Sequence, residues 1–200
     1  MNIAVFASGK GSNFSAIIKA VKKGSIKASL SLLITDNPKA GALGRAKRAG
    51  VKIAMVKRED FSDKKEFEEK IMWHLKESKI DLIVLAGFMR LLGQGLTQQY
   101  KNRILNIHPA LLPAFKGTQA IKDAFDYGSK VTGVTVHFVD EKMDHGPIIL
   151  QKHIVIEDKD TPSSLEDKIH KIEHKLYPEA IRLYVEGKLE VQGRRVVIIN

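Results

Sequence analysis

Asn106 and His108 stand two residues apart at the carboxyl end of an otherwise apolar run, Arg103-Ile104-Leu105-Asn106-Ile107-His108-Pro109. An extended backbone alternates its faces, so the two polar side chains project together while Ile107 points back into the core. Pro109 keeps His108 extended. An amide donor beside an imidazole suits the transfer of a carbonyl group. Charge growing on the carbonyl oxygen needs a donor, and the proton of an attacking amine needs an acceptor. A histidine merely hydrogen-bonded in place fits the same two residues about as well. Asp144 lies in the loop 140–147 between two late strands, which can fold over the same edge. A carboxylate there would favour a charged imidazole and hold its orientation. A solvated loop acid fits the sequence equally.

A second candidate is the glycine loop Ala7-Ser8-Gly9-Lys10-Gly11-Ser12-Asn13 between the first strand and first helix. Two glycines allow a tight turn, Ser12 or Asn13 is expected to cap the helix, and free amides at a helix start favour an anion. Phe14 stands where a dinucleotide fingerprint has its third glycine, and the earlier glycine of a P-loop is missing. The loop therefore predicts a phosphate site, but not one for NAD or ATP. By itself the signal is weak, because a strand-to-helix turn often needs glycine for geometry alone. A third pattern, His170-Lys171-Ile172-Glu173-His174, matches the H-x-x-E-H motif of inverted zinc proteases. Ile169 and Ile172 on the same helix read as core positions, and a third ligand would have to come from Glu179 or Glu186. We read no metal site.

These residues need a scaffold, and the pattern supplies one. Apolar β-branched runs over 2–7, 29–35, 52–56, 81–86 and 103–107 alternate with helical periodicity over 13–23, 39–49 and 63–79. That alternation predicts an α/β protein with a mostly parallel sheet covered by crossover helices, whose ligands gather beyond the carboxyl ends of the strands. Val134, Val136 and Phe138 alternate with Thr135 and His137, Gly146-Pro147 follows, and 148–156 resumes an extended pattern, so late antiparallel strands are expected. Thr161-Pro162 starts a helix with Leu165, Ile169, Ile172 and Leu176 on one stripe. Tyr177-Pro178 is expected to interrupt it before a second helical stretch that ends at Gly187.

The 200 residues, 44% hydrophobic with six prolines, predict one domain with a core over about 1–186 and a short extension over 187–200. Val196 to Ile199 look too apolar for a free tail. Absence of cysteine excludes disulfides and thiolate chemistry. No secretory pattern or membrane-spanning run is read, which leads us to expect a cytoplasmic protein. A net charge of +10 suits a nucleic-acid binder or small anionic substrates. The cations are scattered among acids on amphipathic stretches, without an aromatic-interleaved block, so they read as solvated helix faces and neither nucleic acid nor membrane is expected as a partner.

Taken in order, ASGKGSN at 7–13, DLIVLAGFMRLL at 81–92, LNIHPALLP at 105–113, GVTVHF at 133–138, DHGPIILQ at 144–151 and EHKLYP at 173–178 resemble the glycinamide ribonucleotide formyltransferase family. The resemblance spans nearly the whole chain and implies that family's Rossmann-like three-layer sandwich. It also implies formyl transfer from 10-formyltetrahydrofolate, as cosubstrate, to glycinamide ribonucleotide by direct attack through a tetrahedral intermediate, with no metal, in a monomer or homodimer. Asn106, His108 and Asp144 match its catalytic set. Gly11, Ser12 and Asn13, with His170, Lys171, Ile172 and Glu173, match its ribonucleotide contacts. Lys64, the wall Met89, Arg90, Leu91 and Leu92, Asn106, and the loop Asp140, Glu141, Lys142, Met143 and Asp144 match its folate contacts. The chain departs from many members at Thr118-Gln119-Ala120-Ile121, at His145 beside the expected catalytic aspartate, and at Lys64, where arginine is common. Leu112-Pro113 is a candidate cis bond. Methionyl-tRNA formyltransferase and formyltetrahydrofolate hydrolase share the core but carry an added domain, for which the sequence leaves no room. A non-catalytic nucleotide-binding module would have no need of the three expected catalytic residues together.

Overall fold

Ile3 and Val5 face one way and Ala4 and Phe6 the other, all four with no exposed surface, so the first strand is buried on both faces. The computed structural model describes residues 1–199. Its elements run β1 (Asn2–Phe6), α1 (Ser12–Lys22), β2 (Ser29–Thr35), α2 (Gly41–Ala49), β3 (Lys52–Met55), α3 (Lys64–Glu77), β4 (Leu82–Leu85) and α4 (Gln94–Gln99), followed by β5 (Ile104–His108), α5 (Ala120–Asp126), β6 (Val131–Phe138), β7 (Ile148–Val155), α6 (Pro162–Val185), β8 (Leu189–Gln192) and β9 (Arg195–Ile198). The sheet order is β3-β2-β1-β4-β5-β6-β7-β9-β8. β1 to β5 are parallel, and β6 and β7 are antiparallel as expected. One apolar cluster packs α1, α2 and α6 on one face, and a second packs α3 and α4 on the other. The result is the expected three-layer α/β sandwich.

β1 lies between β2 and β4, so the chain leaves it in opposite directions. That reversal opens a crevice beyond the carboxyl ends of β1 and β4. The Ser8 amide donates to the Gly87 carbonyl across it at 3.0 Å. Phe6 and Phe88 meet edge to face at 5.2 Å between ring centres, a contact worth about 1 kcal/mol beyond its burial. Both contacts tie β1 to the segment after β4 at the crevice floor.

Two expectations about local structure are corrected. Neither Ser12 nor Asn13 caps α1: its N-cap is Gly11 at φ 73°, and no side-chain cap is found among the described residues. A Cβ on Gly11 would lie 2.9 Å from the Ala42 Cα, so close approach of α2 adds to the backbone's demand for glycine. α6 also runs unbroken through Pro178. Proline there costs about 3 kcal/mol in a helix interior, but Tyr177, Ala180 and Ile181 are fully buried around it and hold the helix to the sheet. The buried Tyr177 hydroxyl lies 2.8 Å from the Leu85 carbonyl and 2.9 Å from that of Leu105, tying α6 beneath the ends of β4 and β5. Burial pushes this phenol well above its usual range, so it stays a donor.

Periodicity also missed the short helices α4 and α5. The extension forms the β8–β9 hairpin, with β9 parallel to β7 and joined to it through Ile148 and Arg195. Asn200, the last residue of that stretch, lies outside the described residues. No helix among the described residues is long and apolar enough to cross a membrane.

Candidate active site

In the carboxyl-terminal half of β5, Asn106 and His108 lie on one face, as their spacing requires. The antiparallel β6 sets His137 opposite Asn106 and Thr135 opposite His108. Thr135 is fully buried and uses its hydroxyl completely. It donates to the Ala110 carbonyl at 2.7 Å and accepts from the Leu112 amide at 3.1 Å and Gln151 Nε2 at 2.9 Å. This pins the segment after His108, where Leu112-Pro113 is cis. The returning loop brings the Phe115 carbonyl to 2.8 Å from His108 Nε2. A carbonyl only accepts, so Nε2 carries a proton and Nδ1 faces the other way.

Facing Nδ1 is Asp144, with Oδ2 at 3.5 Å. The same oxygen accepts the Gly117 amide at 2.8 Å, and Oδ1 lies 3.8 Å from His137 Nε2. Asp144 has a φ of 47°, a left-handed conformation that asparagine and aspartate tolerate better than most residues. His108 is only 3% exposed, so this carboxylate meets the imidazole away from bulk water. The loop before Asp144 is anchored on both sides. Gln94 and Gln98 each donate to Glu141 Oε1 at 3.1 Å, His145 Nδ1 lies 2.6 Å from Asp140 Oδ2, and Arg194 donates to the His145 carbonyl at 2.7 Å. Burial raises the Asp140 carboxyl, but the His145 hydrogen bond and the Lys142 amide outweigh it and hold the group below its usual value. At Gly146 a Cβ would sit 1.9 Å from the Phe138 carbonyl, so only glycine lets the loop turn into β7 here.

On the other side of the crevice, Asn13 Nδ2 donates to Glu173 Oε2 at 2.9 Å, and His170 Nδ1 meets the same oxygen at 2.8 Å. The Glu173 hydrogen bond raises His170 above the usual imidazole value against the opposing effect of burial. Of the expected turn, Glu173 reaches Asn13 of the glycine loop, His170 meets Glu173, Ile172 packs on the core and Lys171 is exposed. Asn13 Oδ1 is buried with no partner among the described residues, an orphan worth about 1–3 kcal/mol to whatever satisfies it.

The segment after β4 exposes Met89 at 66% and Leu91 at 59%, and Met143 across the crevice is 46% exposed. Lys64 joins this segment indirectly: it lies 3.7 Å from Glu68, which accepts the Gly93 amide at 2.6 Å. Sequence reasoning missed Asp36. Its carboxylate accepts from Ser8 Oγ at 2.6 Å and from Arg90 Nε at 2.5 Å, so one buried acid links the glycine loop to the apolar wall. His137 was missed too, although its place on a buried strand, two residues from Thr135, was the available signal. Two clefts of about 550 and 580 Å³ are found among the described residues, and neither is lined by Asn106 or His108. One includes Ser12 and the other Asp140 to Lys142, so each touches an expected subsite.

The chain is similar to known proteins along most of its length. The model of the formyl transferase family matches residues 1–181. The phosphoribosylglycinamide formyltransferase of Bacillus subtilis (strain 168) is 48% identical over 179 residues, covering 90% of this chain and 92% of that one. The human trifunctional purine biosynthetic protein adenosine-3 is 37% identical over 94% of this chain, which spans 19% of its length. The crystal structure of glycinamide ribonucleotide transformylase 1 from Symbiobacterium toebii superposes with a TM-score of 0.98 at 42% identity, covering 100% of this chain and 94% of that one.

Proposed function

The chain belongs to the formyl transferase family, and from that premise we propose that it moves the formyl group of 10-formyltetrahydrofolate onto the amine of glycinamide ribonucleotide, a step of purine biosynthesis in the cytoplasm. The observation that carries this reading is the convergence of Asn106, His108 and Asp144 at the sheet edge, with His108 Nδ1 3.5 Å from Asp144. The amine nitrogen bonds to the formyl carbon while the bond from that carbon to the folate nitrogen breaks. Asn106 and His108 stabilise the charge that grows on the formyl oxygen. Asp144 supports His108 and relays the amine's proton through water to the departing nitrogen.

The two subsites follow from the same contacts. The uncapped first turn of α1 offers backbone amides to the nucleotide phosphate, and Asn13 Oδ1 and Glu173 stand beside it for the sugar hydroxyls. Met89, Leu91 and Met143 give a flat folate ring an apolar seat, with Arg90 and Lys64 at its rim for carboxylates. Lys64 brings charge without the fork of an arginine. The acceptor decides between related activities. Purified protein supplied with 10-formyltetrahydrofolate should formylate glycinamide ribonucleotide and leave initiator tRNA and water untouched; comparable rates with either would sink the assignment. Asp36→Ala should raise KM for both substrates several-fold, with kcat moving less, because Ser8 and Arg90 lose one shared acceptor. Initial rates with each substrate varied in turn would measure this, and a change confined to one substrate would separate the subsites.

A further inference from the structure

We propose that His137 is a positioning residue that sets which way round the Asn106 amide stands, by offering it an unprotonated Nε2. Register places the two residues opposite each other on β5 and β6, and Asn106 Nδ2 lies 3.2 Å from His137 Nε2. His137 Nδ1 lies 2.6 Å from the carbonyl of Phe138. That oxygen can only accept, so the ring's proton is on Nδ1. A neutral imidazole has one N–H, which leaves Nε2 as an acceptor. The only donor on the Asn106 side chain is its NH2, so Nδ2 must turn toward the ring. With the opposite tautomer, or with a charged ring, Nε2 would donate and the amide would reverse. The inference rests on the proposed role of Asn106. Held this way, the amide keeps its second N–H for the growing oxyanion; reversed, it sets a carbonyl oxygen against the ring and loses that alignment.

Several groups face the ring. Asp144 and Asp140 favour its protonation, as does the Phe138 carbonyl, and His108 opposes it. His137 is 1% exposed, and burial dominates, holding the imidazole below its usual value of 6.5. The unfolded chain then binds a proton near that value while the folded chain does not. The arrangement is therefore stable above it and is lost as pH falls through the depressed value.

The first test is nitrogen-15 NMR of the imidazoles in the intact protein, with His137 assigned by its absence in His137→Gln. A proton on Nδ1 and a bare Nε2 at about pH 7 are expected. A proton on Nε2, or an imidazolium paired with the Asp144 oxygen 3.8 Å away, would overturn the proposal. The second test is kinetic. His137→Phe should lower kcat by about tenfold or more with KM changed less, and His137→Gln, whose carbonyl can accept from the amide, should recover most of it. In an Asn106→Ala background, His137→Phe should cost almost nothing further; an equal loss in both backgrounds would mean a merely structural role and refute the proposal. If His137→Phe does not fold, the tautomer decides alone. Full activity of Asn106→Ala would instead remove the role given to Asn106, a failure distinct from a wrong tautomer.

Discussion

Replacing His108 with alanine should lower kcat by roughly 10²- to 10⁴-fold, the range expected when a positioned acid–base group is removed. The protein should remain folded. His108 is nearly buried and its Nε2 proton serves the Phe115 carbonyl, so truncation leaves one acceptor unpaired at a cost of about 1–3 kcal/mol. In a chain of this length that corresponds to a fall in Tm of roughly 2–12 °C. Steady-state rates and a thermal melt on the same preparation check both halves. Near-normal turnover in a folded His108→Ala protein would remove the imidazole from the mechanism. The KM for glycinamide ribonucleotide should change little, because its expected contacts lie at Asn13 and Glu173, on α1 and α6 rather than on β5.

How far this was legible in the sequence depends on whether a contact is local. Asn106 and His108 share a strand face by pleat geometry, and no tertiary information was needed to see it. The buried strands 2–6 and 82–85 announced themselves as apolar runs for the same reason. Asp144 is different. Its place beside His108 depends on a hairpin returning β6 along β5 and on Gly146 passing within contact of Phe138, so only family resemblance anticipated it. Asp36 and His137 stayed invisible because each acts across strands far apart in sequence: Asp36 joins Ser8 to Arg90, and His137 meets Asn106 only through antiparallel register. Pro178 misled in the opposite direction. A local breaker was outweighed by burial that sequence periodicity could not weigh, since the bonds of Tyr177 to Leu85 and Leu105 cross the sheet.

Asp144→Ala should reduce turnover on the scale of the His108 loss, about 10²-fold or more, and the two losses should not add. So far as the carboxylate works through the imidazole, Asp144→Ala in a His108→Ala background should cost less than in the wild type; full additivity would mean that its proton relay does not depend on His108. Alanine alone confounds three changes, because Asp144 also accepts the Gly117 amide and adopts a φ of 47°. Asp144→Asn keeps an acceptor and a side chain tolerant of that conformation while removing the charge. It should be nearly as inactive as alanine if the charge is what matters, and close to wild type if the carboxylate only braces the loop. Asp144→Gly separates the remaining factor. It loses the same carboxylate as alanine but accepts the left-handed backbone freely, so it should be more stable than Asp144→Ala by about 1 kcal/mol and no more active. A glycine variant that regained turnover would mean the loop's conformation, rather than the carboxylate it carries, limits the reaction. One that regained only stability would place the catalytic contribution on the charge facing His108.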